Sequence, residues 1–233
     1  MPPAIKAIIF DAYGTLFDVY SIGALGERFF PGAGARLAEM WRDRQIDYTR
    51  LRTLGKRYVD FWTITADALD YSCARLGLDL TDTRRAALLG QYAKLQAFPE
   101  NLAVLDTLRA RGLPLAILSN GTPAMLDSAI RAARMQDCFT HVLSVEAVRR
   151  FKTAPEAYQM GPDAFGLPAS EILFVSSNNW DAVGATWFGH PAFWVNRAGH
   201  PGERLGVALA GEGRTLADLP DFVSRFSGAV PAP

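Results

Sequence analysis

The chain has 233 residues, with 24 basic and 24 acidic side chains and a formal net charge of zero. That length suits one large domain or a core with a modest insertion, and 49% apolar residues are enough to build a full core. Zero net charge argues against nonspecific nucleic-acid binding, which needs a basic surface, and no run approaches the roughly 18 apolar residues of a membrane span.

The chain opens on M-P-P-A-I-K-A-I-I-F-D, an apolar run that leads straight into an acidic residue. A signal peptide would need a basic flank, a longer apolar stretch and a small-residue cleavage site, so a cytoplasmic protein is expected. Ala4 to Phe10 reads as a buried parallel strand, being short, apolar and β-branched. The next 80 residues or so hold helical stretches and few strand signals: Gly34 to Thr49, Leu51 to Leu76 and Thr81 to Leu95, with Gly77 and Pro99 as punctuation. Strand signals then recur at Leu113 to Leu118, His141 to Val145, Glu171 to Ser176 and Ala192 to Asn196. Helices are expected at Pro123 to Ala133, with Thr122 as its cap, and at Pro155 to Phe165. Alternating strands and helices predict an α/β fold, a doubly wound, Rossmann-like parallel sheet. The long first gap predicts a helical cap subdomain over residues 17–97, inserted into a core of residues 1–16 and 98–233. The tail Ser227 to Pro233 is expected to fray. Cys73 and Cys138 are far apart and are expected to be free, buried thiols.

Ligands of open parallel sheets bind beyond the carboxyl ends of the strands. Asp11 follows the first strand, and Ser119 and Asn120 follow the second. Lys152 lies shortly after the third, and Ser176, Ser177, Asn178 and Asp181 follow the fourth. Each alone is unremarkable: Asp11 could make an Asx turn, Ser119 a cap, and Lys152 a solvated surface group. Their joint placement on one rim is the signal.

D-A-Y-G-T-L at 11–16, L-S-N-G-T-P at 118–123, Lys152 with A-P-E-A-Y at 154–158, and V-S-S-N-N-W-D at 175–181 resemble, in order and spacing, the four motifs of the haloacid dehalogenase superfamily. Its phosphatases resemble D-x-D-x-T and carry further carboxylates for Mg²⁺; here position 13 is Tyr, and Asp181 is the last motif's one carboxylate. Phosphonate-cleaving relatives have a small Ala where Tyr13 stands. The resemblance therefore points to the branch that displaces halide from short L-2-haloacids, giving D-2-hydroxy acids by inversion through an aspartyl ester. It implies no metal and no cofactor. The expected partners are a small 2-haloalkanoic acid and a halide ion, with no nucleic acid and no membrane. A homodimer through cap helices stays open, with the apolar stretch Tyr58 to Leu69 as one candidate face.

Within that resemblance Asp11 is the expected nucleophile, and Lys152 would favour its ionised form. Ser119 and the backbone N–H groups of Ala12 and Tyr13 would hold the substrate carboxylate. Arg42, in a segment similar to the family's W-R-x-x-Q-x-x-Y, would receive the halide; a surface salt bridge to Asp43 or Asp47 is its other reading. Ile46, four residues on, shares its helix face and would line the pocket with Tyr13. Asn120, Phe61 and Trp180 would complete the halide cradle, through an amide N–H and positive ring edges, although Phe61 could equally be core. Asp181 would activate the water that attacks the nucleophile's own carbonyl. Ser176 and Asn178 would hold Asp181 and Lys152, Tyr158 would bond into that network, and Thr15 would bond Asp11. Asn179 and Asp43 depart from the pattern; the first could reshape the pocket and the second partly neutralise Arg42. A Mg²⁺-dependent small-molecule phosphatase and a silent binding module are the alternatives.

Overall fold

The computed structural model describes residues 4–226, so the expectation for the tail falls outside the described residues. Among them are strands β1 (Ala7–Phe10), β2 (Leu115–Ser119), β3 (His141–Ser144), β4 (Ile172–Ser176), β5 (Ala192–Val195) and β6 (Gly211–Gly213). They form one parallel sheet in the order β3-β2-β1-β4-β5-β6. β1, β2, β4 and β5 are buried along their whole length, which is why each reads as an unbroken apolar run. The edge strand β3 leaves Val142 45% exposed. Five strands lie where the apolar runs placed them. The sixth, Gly-Glu-Gly, has no apolar signature and is held by backbone pairing to β5.

Helices α1 (Gly23–Phe29), α2 (Gly34–Leu54), α3 (Phe61–Leu76) and α4 (Asp82–Tyr92) fall between β1 and β2 in sequence, followed by α5 (Asn101–Ala110). α2 packs against α1 and α3, and α4 against α3. The single stretch expected from Leu51 to Leu76 is two elements. α2 runs on to Leu54, and the chain turns through Gly55 and Lys56, the latter at φ +54°. α3 then begins afresh because Asp60 caps it, accepting from the Thr63 N–H at 2.9 Å and its hydroxyl at 2.7 Å. Phe61, Ile64, Ala68 and Leu69 are buried within the chain itself, so much of the apolar stretch from Tyr58 serves as core.

The chain enters and leaves this helical segment side by side. Phe17 bridges Ala97, the Asp18 N–H donates to the Gln96 carbonyl at 2.8 Å, and the Phe98 N–H to the Leu16 carbonyl at 3.2 Å. The Asn101 amide adds a bond to the Leu16 carbonyl at 2.7 Å. After β2 come α6 (Pro123–Ala132), α7 (Pro155–Phe165), α8 (Asn179–Phe188) and α9 (Leu219–Phe226). α6 starts as expected, with the Thr122 hydroxyl accepting from the Met125 N–H and Pro123 in the first turn. No described helix is long and apolar enough to cross a membrane. Cys73 and Cys138 are free and buried.

Candidate active site

The sheet reverses its winding at β1, so the carboxyl ends of β1, β2 and β4 open onto one crevice. Asp11 stands at its centre, directly after β1 and 6% exposed. Its two oxygens have different surroundings. Oδ2 accepts from the Asn178 amide at 2.8 Å, the Thr15 hydroxyl at 3.0 Å and the Ser176 hydroxyl at 3.4 Å. Among the described residues Oδ1 accepts from the Lys152 ammonium alone, at 3.0 Å. Gly14, at φ +94°, turns the backbone here in a way a side chain would strain. In the resulting loop the N–H groups of Ala12 and Tyr13 make no hydrogen bond among the described residues.

Lys152 comes from the loop between β3 and α7 and is 1% exposed. Its ammonium bridges Asp11 Oδ1 and Asp181 Oδ2, the latter at 2.9 Å. Burial alone would lower its pKa, but the Asp11 and Asp181 carboxylates together outweigh burial and hold it above the ordinary value. Asp181 lies in the first turn of α8 and is fully buried. Burial pushes its pKa up and Lys152 pulls it down, leaving it at about 6. The Tyr158 hydroxyl, from the buried face of α7, donates to Asp181 Oδ1 at 2.8 Å.

Ser176 and Asn178 do not hold Asp181 and Lys152 as expected. Both side chains turn to Asp11, and Asn178 also donates to the Tyr13 carbonyl at 3.1 Å. The reason lies in the helix start: Asn178 occupies the cap position of α8 but makes no side-chain cap bond, which leaves its amide pointing back across the crevice. Asp181, one turn into the helix, then faces Lys152 and Tyr158.

Beside Asp11 lies a small cavity lined by Asp11, Tyr13, Arg42, Ile46, Phe61, Ser119, Asn120, Asn178 and Trp180. The i, i+4 spacing of Arg42 and Ile46 does bring both to one wall. Arg42 makes no ion pair with Asp43 or Asp47; its guanidinium donates to the Tyr13 carbonyl at 3.0 Å and to Asn178 Oδ1 at 3.3 Å. Asp43 is exposed, and Asp47 pairs with Arg44 at 3.2 Å. Asn179 also points elsewhere, accepting from the Glu203 N–H at 2.8 Å. Asn120 is oriented by the Lys152 N–H, which donates to its Oδ1 at 3.0 Å; its NH₂ has no partner among the described residues. Phe61 is both core, at 1% exposed, and cavity wall. The Ser119 hydroxyl accepts from the Gly121 N–H at 3.0 Å.

Three contributors were not singled out from the sequence. Tyr92, at the end of α4, stacks on Tyr13 with ring centroids 5.8 Å apart and donates to Gln45 Oε1 at 3.2 Å. Gly121 lets Tyr13 pack, since a Cβ there would meet the Tyr13 ring at 2.7 Å. Ser177, noted only as a rim residue, donates its N–H to the Thr15 hydroxyl at 2.8 Å and so orients it toward Asp11. For Tyr92 no local pattern existed to find; the "G" of L-S-N-G-T-P was a visible clue to Gly121.

Comparison with known proteins agrees with this geometry. The profile of the haloacid dehalogenase-like hydrolases matches residues 5–189. An (S)-2-haloacid dehalogenase of Pseudomonas sp. (strain YL) is 46% identical over 224 residues, 96% of this chain and 97% of that protein. The crystal structure of an L-2-haloacid dehalogenase is 58% identical, with TM-score 0.93 over 95% of this chain and 99% of the other. The L-2-haloacid dehalogenase of Xanthobacter autotrophicus, solved with chloropropionic acid covalently bound, is 36% identical, with TM-score 0.88 over 94% and 98%. On this sequence and structural agreement, the chain belongs to the haloacid dehalogenase-like hydrolases.

Proposed function

We propose that the protein is a cytoplasmic (S)-2-haloacid dehalogenase that converts short L-2-haloacids to D-2-hydroxy acids and halide through an ester on Asp11, without a metal ion. The observation that carries this reading is the Asp11–Lys152–Asp181 chain of contacts at the edge of the small cavity. The Lys152 ammonium bridges the two carboxylates and neutralises charge between them. Tyr13, where the superfamily's phosphatases carry a second acid, has no carboxylate to offer a divalent cation. The cavity is small and closely walled by the side chains that line it, which favours an acid of a few carbons.

In the first step Asp11 Oδ1 attacks C2 from the side opposite the halogen. The C2–halogen bond breaks, the halide leaves with the bonding pair, and C2 inverts. Oδ1 is the better nucleophile because it carries one hydrogen bond against three on Oδ2. The free N–H groups of Ala12 and Tyr13, with Ser119, bind the substrate carboxylate. Arg42, the Asn120 NH₂ and the edges of Phe61 and Trp180 receive the halide.

In the second step water attacks Cγ of the ester and gives a proton to Asp181. The developing oxyanion is Oδ2, already surrounded by Thr15, Ser176 and Asn178. Collapse breaks Cγ–Oδ1, and the departing oxygen takes a proton relayed by Lys152. The balance is one water consumed and one hydroxy acid, one halide and one proton released. The pKa of Asp181, about 6, suits a base working near neutrality. We read residues 17–97 as a cap over a core of residues 1–16 and 98–233, since Arg42, Ile46 and Phe61 reach the cavity from that segment.

The test is chloride release from L-2-chloropropionate by protein treated with a chelator. Undiminished release is expected, with Asp11→Asn inactive yet folded. In single turnover in ¹⁸O water, label should enter Asp11 first. Dependence on Mg²⁺, or label going first to product, would overturn the reading.

A further inference from the structure

Four ionised groups meet in the crevice: Arg42 and Lys152 against Asp11 and Asp181. Their charges cancel. An anionic substrate must nevertheless bring its own carboxylate past Asp11, a like charge, before the local N–H donors can hold it, so longer-range attraction from outside the crevice would aid its entry. One side chain is placed to supply it. Arg50 lies two helical turns beyond Arg42 and one beyond Ile46 on α2, so all three point to the same side of the helix. It is exposed, and its guanidinium sits over the Trp180 ring, 5.2 Å from the centroid. Trp180 is half-buried and belongs to the cavity wall, so Arg50 rests on a residue of that wall.

Arg50 also differs from Arg44 and Arg52 in having no oppositely charged partner among the described residues. Arg44 pairs with Asp47, and Arg52 with Asp67 at 3.6 Å. Among the described residues Arg50 makes no ion pair and no hydrogen bond; its guanidinium rests on the indole ring. A guanidinium held on a ring by a cation–π contact keeps its N–H edges free for an anion.

We propose that Arg50 is the anion-recruiting residue at the mouth of the cavity, drawing the haloacid carboxylate in past Trp180. This rests on the dehalogenase reading above. Arg50 acts on the substrate charge from outside the reacting centre, equally before and during bond breaking. Such uniform attraction appears in KM and leaves kcat unchanged. Because the charge is exposed, the effect is screened by salt, with a Debye length of about 10 Å at 0.1 M ionic strength.

The experiment measures halide release from L-2-chloropropionate at low ionic strength and again in about 0.5 M sodium sulfate. It compares the wild type with Arg50→Gln, Arg50→Lys and, as a control for net charge, Arg28→Gln at an exposed site on α1. Arg50→Gln is expected to raise KM about threefold to tenfold at low salt with kcat within twofold. High salt should shrink that ratio toward one. Arg50→Lys should recover most of the loss, and Arg28→Gln should match the wild type. Unchanged KM in Arg50→Gln, or a fall in kcat that salt does not alter, would overturn the proposal, the second result marking a packing role through Trp180. Failure of the dehalogenase reading is distinct, because the wild type itself would then release no halide.

Discussion

The Tyr158 hydroxyl lies 2.8 Å from Asp181 Oδ1, and the Lys152 ammonium lies 2.9 Å from Oδ2, so each oxygen of this buried carboxylate has one strong donor. Both donors favour the ionised form, while burial, the larger influence, opposes it. A base must be ionised to work, so kcat/KM should fall as pH drops through about 6, the pKa of Asp181. Tyr158→Phe removes one of the two donors and leaves the other influences in place. The pKa of Asp181 should then rise, and the acid limb of the pH profile should move to higher pH. At pH 6 the variant is expected to run about threefold slower than the wild type, the scale of a net hydrogen bond of about 1 kcal/mol, with the two converging at higher pH. A pH profile that keeps its acid limb in place would show that Asp181 is not the group titrating. At this scale the sequence was most informative about which residues meet and least about which atom each one touches. The motif around Asn178 announced an amide at the rim. Whether it served Asp11 or Asp181 depended on the first turn of α8, which the residue types alone do not determine.

The elements that carry these residues are stapled at one place. Where the chain passes between sheet and helical segment, Arg197, just beyond β5, reaches across to three partners. Its guanidinium donates to Glu100 Oε1 at 2.5 Å and to the Thr15 carbonyl at 3.2 Å, and lies 3.7 Å from the centroid of the Phe98 ring. Thr15 in turn bonds Asp11. Arg197 thus ties the outgoing linker at residues 98–100 to the loop that presents the nucleophile. Arg197→Met keeps most of the stem and loses the fork. It is expected to lower stability by about 1–2 kcal/mol, the range for partly exposed charge-assisted hydrogen bonds, and to reduce kcat several-fold through a less well held Asp11 loop. A double-mutant cycle with Glu100→Gln, read by urea denaturation, should show clear coupling between the two positions; strict additivity would count against the staple. Apolar runs made the first five strands legible, four of them because they are buried throughout. β6 was not, because Gly-Glu-Gly carries no side-chain signal. The break between α2 and α3 was missed because the apolar pattern continues through Tyr58 and Val59 while the helix itself is ended and restarted by Gly55 and the Asp60 cap.

For the molecule as a whole, buried titratable groups contribute to how stability depends on pH, Asp181 and His190 among them. Asp181 titrates at about 6 in the fold and near the ordinary Asp value of 3.8 when exposed. Between those values the folded state binds more protons than the unfolded one, so stability falls as pH rises through that window and then levels off. His190 acts in the opposite sense. Its pKa is lowered by burial, although its Nδ1 lies 3.0 Å from both the Ala169 and Ile172 carbonyls. The stability it contributes is present above the ordinary His value of 6.5 and is lost as pH drops through the folded value. The two trends partly cancel in the wild type, and a variant is needed to separate them. In Asp181→Asn the carboxylate contribution is gone and that of His190 remains. The difference in unfolding free energy, wild type minus Asp181→Asn, should therefore decline between about pH 4 and pH 6 and stay level from there to pH 8. Urea denaturation at half-unit pH steps would measure it. A difference that stays flat across the whole range would mean that Asp181 ionises in the fold as readily as in the open chain. The energetic asymmetry that suits it to act as a base would then be missing.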